Sequence, residues 1–262
     1  MVFLLALLKR LFECHAGAAE ASRRKLKALP MDLAKPRMDF GLSSNDLEPM
    51  LAFWQGEVGL PFDHLLKIRR GQDQHRHDAL GSVIKINHLA DPLPEGPPTG
   101  YRELYIAREG LTEPRQLVDP DGNRVSLVPP GWRGIGQIGV RLAVRSLDAH
   151  RRFYTEALGL TEEPWAGGAA FRAAESLLIV EQSDDAPTPG VRTGGEGWGY
   201  ITFQIFKVDQ EHAFVLAHGG GEGLAPVTLG ETARISMVTD PDGNRIELSQ
   251  RASIVGSLAP QP

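Results

Sequence analysis

Two histidines with one residue between them form the clearest candidate for metal chemistry in this sequence. The polar run at residues 74–78 contains His75 and His77, and it leads into a run of alternating apolar residues that contains Lys85 and Asn87. We interpret the whole segment as one extended strand, in which alternate side chains point to the same side. The two histidines, Lys85 and Asn87 are therefore predicted to face one side of a sheet.

The two imidazoles are expected to bind one divalent metal ion, since imidazole is a common ligand of zinc, iron and nickel. Asp39 or Glu103 is expected to complete the site, and the candidate metals are Fe, Mn, Zn and Ni. The alternative is that the His-Arg-His-Asp sequence is only the polar, solvated beginning of a strand. The residues leave both interpretations open.

Aromatic and polar side chains occur together in two further predicted strands. Tyr101 and Glu103 are predicted to share one face of a strand, and Tyr200 and Gln204 one face of another. Tyrosine packs against aromatic ligands and donates a hydrogen bond through its hydroxyl group. These side chains are candidates for substrate binding, and they are equally suited to fill the interior of a curved sheet.

One segment of the chain occurs twice, which indicates tandem homologous domains. Residues 117–128 and residues 238–249 both contain Asp-Pro-Asp-Gly-Asn-Arg followed by a strand-like run. Phe53-Trp54 and Phe153-Tyr154, each followed by a Gly-Leu pair, form a second repeat. The Asp-Pro-Asp-Gly-Asn sequence is typical of a tight turn between antiparallel strands, because Pro and Gly suit the turn geometry and Asp and Asn bond to nearby backbone.

Each domain is predicted to contain two units built from a strand, a helix and three strands. The second unit of the first domain is predicted to have almost no helix, because the offset between the two repeats is larger at the Asp-Pro-Asp-Gly-Asn turns than at the first helices, which indicates a segment missing from the first domain. We place a helical extension at residues 1–35, a first domain at 36–130, a linker at 131–135, a second domain at 136–252 and a tail at 253–262.

The composition is that of a folded protein and limits the partners. The chain has 262 residues, 42% of them hydrophobic, and a net charge of −5, which disfavours nucleic acid and anionic membranes as partners. Cys14 is the single cysteine, so an internal disulfide is excluded and a reducing, cytoplasmic location is predicted. The apolar run at residues 1–8 is too short to span a bilayer, and an amphipathic helix is predicted there.

The repeated motifs resemble the vicinal oxygen chelate superfamily, which includes glyoxalase I, bleomycin-resistance proteins and extradiol dioxygenases. The resemblance rests on residues 45–60 and 144–160, which contain the predicted helices, and on residues 119–127 and 240–248, which contain the turns. It implies an α+β fold of two tandem domains, in which paired βαβββ modules form cup-shaped mixed β-sheets. It also implies one cup in each domain, with a divalent metal that chelates two neighbouring oxygens of the substrate.

Most of the metal-ligand positions that the resemblance implies carry residues that do not bind metals in this way. In chain order, these positions are Asp39, Lys85, Tyr101, Ser126, Gly139, Tyr200 and Glu247. A typical ligand set would contain histidines and carboxylates together. Glu247 is therefore predicted to be a retained cavity or salt-bridge residue rather than a ligand.

Three functions are consistent with these residues. The first is an enzyme, a glyoxalase-type lyase or an extradiol-type dioxygenase, that acts on a small oxygenated or aromatic metabolite, with or without a metal. The second is a binding protein that sequesters a small molecule, and the third is a structural or regulatory relic; a monomer and a homodimer are both compatible. The predicted catalytic residues are Asp39, Glu103 and Glu247, and the predicted substrate-binding residues are Lys85, Asn87, Tyr101, Tyr200 and Gln204.

Overall fold

The computed structural model describes residues 31–190 and 195–259. The amphipathic helix predicted near the N-terminus lies outside the described residues. In the described part of the chain, no helix has the length and apolar character needed to cross a membrane.

The first half of the chain contains seven strands and one short helix within the described residues. The first unit consists of β1 Asp39–Ser44, α1 Leu47–Ala52, β2 Phe62–Arg69, β3 Gln72–Ala79 and β4 Ser82–Leu89, with a π-helical turn, Phe53–Glu57, after α1. The second unit consists of β5 Tyr101–Ala107, β6 Arg115–Val118 and β7 Arg124–Val128. The second unit has no helix between its described strands, as the repeat spacing predicted.

The second half repeats this arrangement with a helix in both units. The third unit consists of β8 Ile138–Val144, α2 Leu147–Arg152, β9 Thr161–Trp165, β10 Gly168–Ala173 and β11 Ser176–Gln182, with a π-helical turn, Phe153–Ala157, after α2. The fourth unit consists of β12 Gly197–Gln204, α3 Val208–Ala217, β13 Gly221–Leu229, β14 Ala233–Thr239 and β15 Arg245–Arg251, and α4 Ala252–Val255 follows it.

The strands form two curled mixed sheets, which confirms the predicted α+β fold of paired modules. An eight-stranded sheet has the order β13-β14-β15-β12-β1-β4-β3-β2, and a seven-stranded sheet has the order β6-β7-β5-β8-β11-β10-β9. The helices and a continuous apolar core cover one face of each sheet. We call the opposite, concave face of the eight-stranded sheet the first cup and that of the seven-stranded sheet the second cup.

The pairing of units differs from the sequence-based expectation that each domain forms its own cup. The first unit pairs with the fourth through antiparallel β1 and β12, and the second pairs with the third through antiparallel β5 and β8. The short connection at residues 129–137 keeps neighbouring units in one sheet, whereas the longer connections at residues 90–100 and 183–196 pass from one sheet to the other. Each sheet therefore takes strands from both sides of the linker at residues 131–135, whose role as a domain boundary stays a prediction.

The two Asp-Pro-Asp-Gly-Asn turns join antiparallel strands, as predicted, and they also link the two sheets. Asn123 Oδ1 accepts a hydrogen bond of 3.1 Å from the backbone N–H of Trp198, at the start of β12. Asn244 Oδ1 accepts one of 2.6 Å from the backbone N–H of Gly100, just before β5. Each turn thus holds the beginning of a strand in the other sheet, which is a structural role.

Tyr101 lies in the core between the sheets, so the prediction that it shares the face of Glu103 is wrong. The strand register shifts between these two residues, and this irregularity turns the Tyr101 side chain to the apolar face. Its ring packs edge-on against Phe40, with 5.3 Å between the ring centroids, and its hydroxyl group donates to the Arg245 carbonyl oxygen at 2.7 Å. The ring and hydroxyl group of Tyr101 are therefore held in the core and not beside Glu103.

Candidate functional site

The pairing of the first and fourth units brings four of the implied ligand positions together on the floor of the first cup. Asp39 on β1 and Lys85 on β4 come from the first unit, and Tyr200 on β12 and Glu247 on β15 come from the fourth. The four strands are adjacent in the order β15-β12-β1-β4, and the four residues lie on the face opposite the core. Because alternate residues of a strand point to opposite faces, the apolar neighbours of these residues lie in the core and the four side chains lie close together on the concave face.

Lys85 is the central cation of this floor. Its Nζ donates to Glu247 Oε2 at 2.9 Å and to Thr202 Oγ1 at 2.7 Å, and Thr202 Oγ1 also donates to Glu247 Oε2 at 3.1 Å. Only 2% of the Lys85 side chain is exposed. Burial lowers the pKa of Lys85, and the nearby carboxylates of Glu247 and Asp39 oppose this effect.

Asp39 is a second buried carboxylate close to Lys85. Its Oδ1 accepts hydrogen bonds from Lys35 Nζ at 2.7 Å and from the Val83 backbone N–H at 2.8 Å, and its Oδ2 accepts one from Gln204 Nε2 at 3.1 Å. Burial acts to raise the pKa of Asp39, but Lys35 and Lys85 outweigh it and hold the pKa below its ordinary value. Asp39 is therefore a carboxylate at neutral pH.

Tyr200 lies flat across the floor, over the backbone of Gly41. A Cβ atom at Gly41 would overlap the Tyr200 ring, so this position needs a glycine for the ring to lie there. The Tyr200 hydroxyl oxygen accepts hydrogen bonds from Asn87 Nδ2 at 3.2 Å and from Gln74 Nε2 at 3.4 Å. Burial raises the pKa of Tyr200, so its hydroxyl stays protonated and has its own proton to donate.

The donor set of the first cup does not fit a divalent metal. Asp39, Tyr200 and Glu247 supply oxygen atoms, but the fourth position carries the Lys85 ammonium, which donates hydrogen bonds and repels a second cation. Across residues 31–190 and 195–259, no three His, Cys, Asp or Glu side chains are grouped so that they could hold a metal ion. The Lys85 ammonium therefore places a positive charge at one of the implied ligand positions.

The predicted common face of His75, His77, Lys85 and Asn87 is wrong. The segment is a hairpin, not one strand, because the turn at residues 80–81 reverses the chain. In the register of this hairpin His75 and His77 lie opposite Ile86 and Ile84, on the core side of the sheet. Ligation of a metal by the two histidines stays a prediction without support from a shared face.

His77 is a buried neutral histidine on the helix side of the sheet. Its Nε2 lies 3.1 Å from Gln55 Nε2 in the π-helical turn, and its ring packs edge-on against Phe62. Burial, together with the smaller effect of the neighbouring His75, lowers the pKa of His77 to about 4. Its contacts are those of a structural side chain.

The sequence reasoning missed two members of the cup that the hairpin supplies. Gln74 pairs with Asn87 and Arg76 pairs with Lys85, so both share the concave face with the site residues. The signal for the hairpin was Gly81, which has a φ of 86° and follows Leu80, a non-glycine residue with a φ of 57°. With a turn assigned at this position, Gln74 and Arg76, and not His75 and His77, are the side chains of β3 that face the cup.

Glu103, the third predicted catalytic residue, lies in the second cup and not beside Asp39 and Glu247. Glu103 Oε1 accepts a hydrogen bond from Ser126 Oγ at 2.6 Å, and Oε2 accepts one from the Tyr105 hydroxyl at 3.0 Å. Arg141 forms an ion pair of 3.0 Å with the same Oε2 and a longer one of 3.4 Å with Glu181. Every oxygen of Glu103 is thus already bonded within the protein.

The linker fills one end of the second cup. Trp132 packs against Tyr105 with 5.7 Å between ring centroids, and Ile135 is fully buried against Gly139. A cleft of about 730 Å³ remains at the other end, beside Arg141 and other polar residues. The cleft thus lies in the second cup, whereas the ionised group around Lys85 and the unpaired Gln204 Oε1 lie on the floor of the first.

Residues 134–248 match the model of the Glyoxalase/Bleomycin resistance protein/Dioxygenase superfamily. This match spans most of the second half of the chain, and the superfamily is what the chain is similar to in sequence. The match confirms the resemblance that the repeated motifs indicated.

Solved structures extend the likeness to most of the chain. Glyoxalase I from Zea mays is 16% identical, covers 85% of this chain and 95% of its own length, and has a TM-score of 0.64. A putative dioxygenase from Bacillus subtilis is 12% identical, covers 88% of this chain and 92% of its own, and has a TM-score of 0.62. These likenesses show the shared fold. A search of curated protein sequences found no significant match.

Proposed function

We propose that the first cup is the active site of an enzyme that moves a proton on a small oxygenated metabolite. The observation that carries the proposal is the buried Lys85–Glu247 pair, which places a cationic hydrogen-bond donor 2.9 Å from a carboxylate. General acid–base catalysis needs a donor and an acceptor of this kind within reach of one substrate. The superfamily match of the second half and the shared fold of glyoxalase I from Zea mays support a small-molecule reaction.

In the proposed reaction, the Lys85 ammonium binds the carbonyl oxygen of an α-hydroxycarbonyl substrate. Glu247 takes the proton from the neighbouring carbon, and the negative charge that develops on the oxygen is stabilised by Lys85. Delivery of the proton to the former carbonyl carbon, with transfer of the hydroxyl proton to the other oxygen, completes an isomerisation. Delivery of a solvent-derived proton to the original carbon completes an exchange, and neither route consumes an oxidant or a reductant. Asp39 is the second candidate base, because it lies near Lys85 on the same floor.

The amide and phenol side chains of the floor are the proposed substrate contacts. Gln204 gives one amide hydrogen to Asp39, and its Oε1 is buried without a hydrogen-bond partner among the described residues. That oxygen is suited to accept a bond from a substrate hydroxyl group. Asn87 holds the Tyr200 hydroxyl oxygen in place, which directs the phenol proton into the cup.

Sequestration without chemistry is the alternative, and the walls of the first cup favour it. Leu224 and Val227 of β13 are 43% and 37% exposed, and their pairing with Met237 and Ile235 places them on the concave side. Apolar side chains beside a polar floor are typical of a small-molecule binding site. An apolar compound could be held there without being changed.

Proton exchange in D2O separates the two functions. The full chain is incubated with hydroxyacetone and dihydroxyacetone, and loss of the C–H signals is followed by proton NMR. We expect exchange above the buffer rate and a loss of about 100-fold or more in Glu247→Gln, since general-base catalysis contributes on the order of 10²–10⁴. Asp39→Asn tests the second candidate base in the same way.

Glu103→Gln is the matched control, because it makes the same change in the second cup. We expect it to keep the exchange rate of the unmodified chain. Exchange that persists in Glu247→Gln and Asp39→Asn, or that never exceeds the buffer rate, would overturn the enzymatic proposal. Binding of a small molecule in the cup without exchange would then favour sequestration.

A further inference from the structure

Arg76 is a buried arginine whose charge is not balanced by a neighbouring carboxylate. Only 3% of the residue is exposed, yet its one side-chain hydrogen bond given by the structure runs from Nη1 to Gln74 Oε1 at 2.7 Å. Within the described residues, Nε has no hydrogen-bond partner and no carboxylate oxygen lies within 4.0 Å of the guanidinium. A buried arginine normally has its charge and its donors paired.

Arg251 approaches the same place from the other side of the cup. It lies on β15, four residues after Glu247 and on the same face, and its pKa is lowered by burial and by the positive charge of Arg76. No ion pair joins Arg251 to a described carboxylate either. The nearby Asp63 is exposed and forms a pair with His64 Nδ1 at 2.9 Å.

The charges of the first cup therefore divide into a balanced part and an unbalanced part. Asp39 is paired with Lys35 at 2.7 Å, and Glu247 is paired with Lys85 at 2.9 Å. Neither the Arg76 nor the Arg251 guanidinium group has a described carboxylate oxygen within 4.0 Å, although Glu247 and Asp39 attract Arg251 from farther away. Because they repel each other in a partly buried site, an anion between them would relieve an unfavourable interaction.

We infer that Arg76 and Arg251 form a subsite for an oxyanion on the ligand of the first cup. The planar guanidinium fork of Arg76 is suited to a carboxylate or a phosphate, with two donors to two oxygens. Ile235 and Met237 of β14 lie next to this part of β15 on the same face, where they contact an apolar body attached to the anion. The inference rests on the proposed use of the first cup as a ligand site and narrows its ligand to an organic anion.

Calorimetric titration of the full chain tests the subsite with probes of equal shape and different charge. Benzoate carries the anion on an aromatic ring, benzamide is its neutral counterpart, and phenyl phosphate tests the phosphate as the anion. We expect benzoate or phenyl phosphate to bind with a Kd of about 1 mM or tighter, and benzamide to bind at least about 10-fold more weakly. The tighter of the two anions identifies the anionic group.

Two substitutions and a control locate the binding. Arg251→Gln and Arg76→Gln are each expected to weaken binding of the tighter anion by about 10-fold or more, because each removes one charged donor. Arg152→Gln removes the same charge at an exposed position on α2 and is expected to leave binding unchanged. If Arg76→Gln does not fold, Arg251→Gln and the comparison of probes on the unmodified chain still decide the question.

Equal affinity for benzoate, phenyl phosphate and benzamide would overturn the subsite, and so would anion binding that both cup substitutions leave intact. No binding of either anion up to about 10 mM would also overturn it. These outcomes are independent of the exchange measurement. Arginine-dependent anion binding without proton exchange would uphold the subsite and reject the proposed reaction, whereas exchange without anion preference would do the reverse.

Discussion

The floor of the first cup carries Asp39, Lys85, Tyr200 and Glu247, and the strand pairing places Gly139, Ile179, Glu103 and Ser126 at the corresponding positions of the second cup. The first set contains a cation between two carboxylates. The second set contains one carboxylate, Glu103, which is bonded to Ser126, Tyr105 and Arg141. The linker covers one end of this second cup. One duplicated backbone thus holds two different interiors.

The difference shows which part of each unit the fold constrains. The core face of the central strands is mostly apolar in both sheets, because the two sheets and their helices pack through it. The concave face is not needed for that packing, so its residues vary without loss of the fold. In the second cup, Trp132 and Ile135 pack with Tyr105 and Ile179 in a small apolar cluster.

The largest expected effect is the loss of stability when Lys85 is removed. Lys85→Met leaves Glu247 buried without its cation, and we expect the free energy of unfolding to fall by about 3–5 kcal/mol. Urea denaturation measures it. The double variant Lys85→Met/Glu247→Leu is expected to recover part of the loss, because neither charge remains. A loss below about 1 kcal/mol in the single variant would mean that the pair is solvated.

Removal of the linker side chain that fills the second cup is expected to have the next largest effect. Ile135 is fully buried, so Ile135→Ala should lower the free energy of unfolding by about 3 kcal/mol through lost contacts and a cavity. Ile254→Ala, at a residue that is 41% exposed, is the matched control and is expected to change it little. Benzoate affinity of the first cup should stay constant; a parallel change would show that the two cups are coupled.

The next prediction concerns the pH dependence of stability that comes from His77, on the helix-covered face behind the first cup. Folding lowers the pKa of His77 from 6.5 to about 4, so as the pH falls His77 is protonated in the unfolded chain before it is protonated in the folded chain. The contribution of neutral His77 to the free energy of unfolding is complete above about pH 6.5. It decreases by at most about 3 kcal/mol as the pH falls towards 4. His77→Gln should flatten this part of the stability profile, measured by urea denaturation between pH 4 and 7.

His150, behind the second cup, should act in the opposite direction. Burial acts to lower the pKa of His150, but Asp240, 3.3 Å from its Nε2, and other partners raise it above its ordinary value. The stabilisation of the folded state by protonated His150 is complete below the pKa that His150 has in the unfolded chain. It is lost as the pH rises through the higher pKa of His150 in the folded state. We expect His150→Gln to be less stable than the unmodified chain at low pH, with the difference shrinking as the pH rises. A difference that instead shrinks as the pH falls towards 4 would contradict this assignment.

Much of the candidate site was predictable from local patterns. The alternation of apolar and polar residues in β1, β4, β12 and β15 predicted which side chains leave the core, and the superfamily resemblance pointed to Asp39, Lys85, Tyr200 and Glu247. The role of Gln74 and Arg76 was not found, because one unassigned turn at Gly81 reversed the face of β3. Tyr101 was placed wrongly because the register shift beside Glu103 depends on the neighbouring strand β8.

The sequence by itself determined that two similar halves of two units each are present and that tight turns precede their last strands. Repetition, apolar alternation and the Asp-Pro-Asp-Gly-Asn turns are local properties of the chain, and local properties are readable from sequence. Only the tertiary structure decided that the first unit joins the fourth, which puts Lys85 beside Glu247 and Arg76 near Arg251. Such partners are separated by more than 100 residues, and their choice depends on connection lengths and on packing of the whole core.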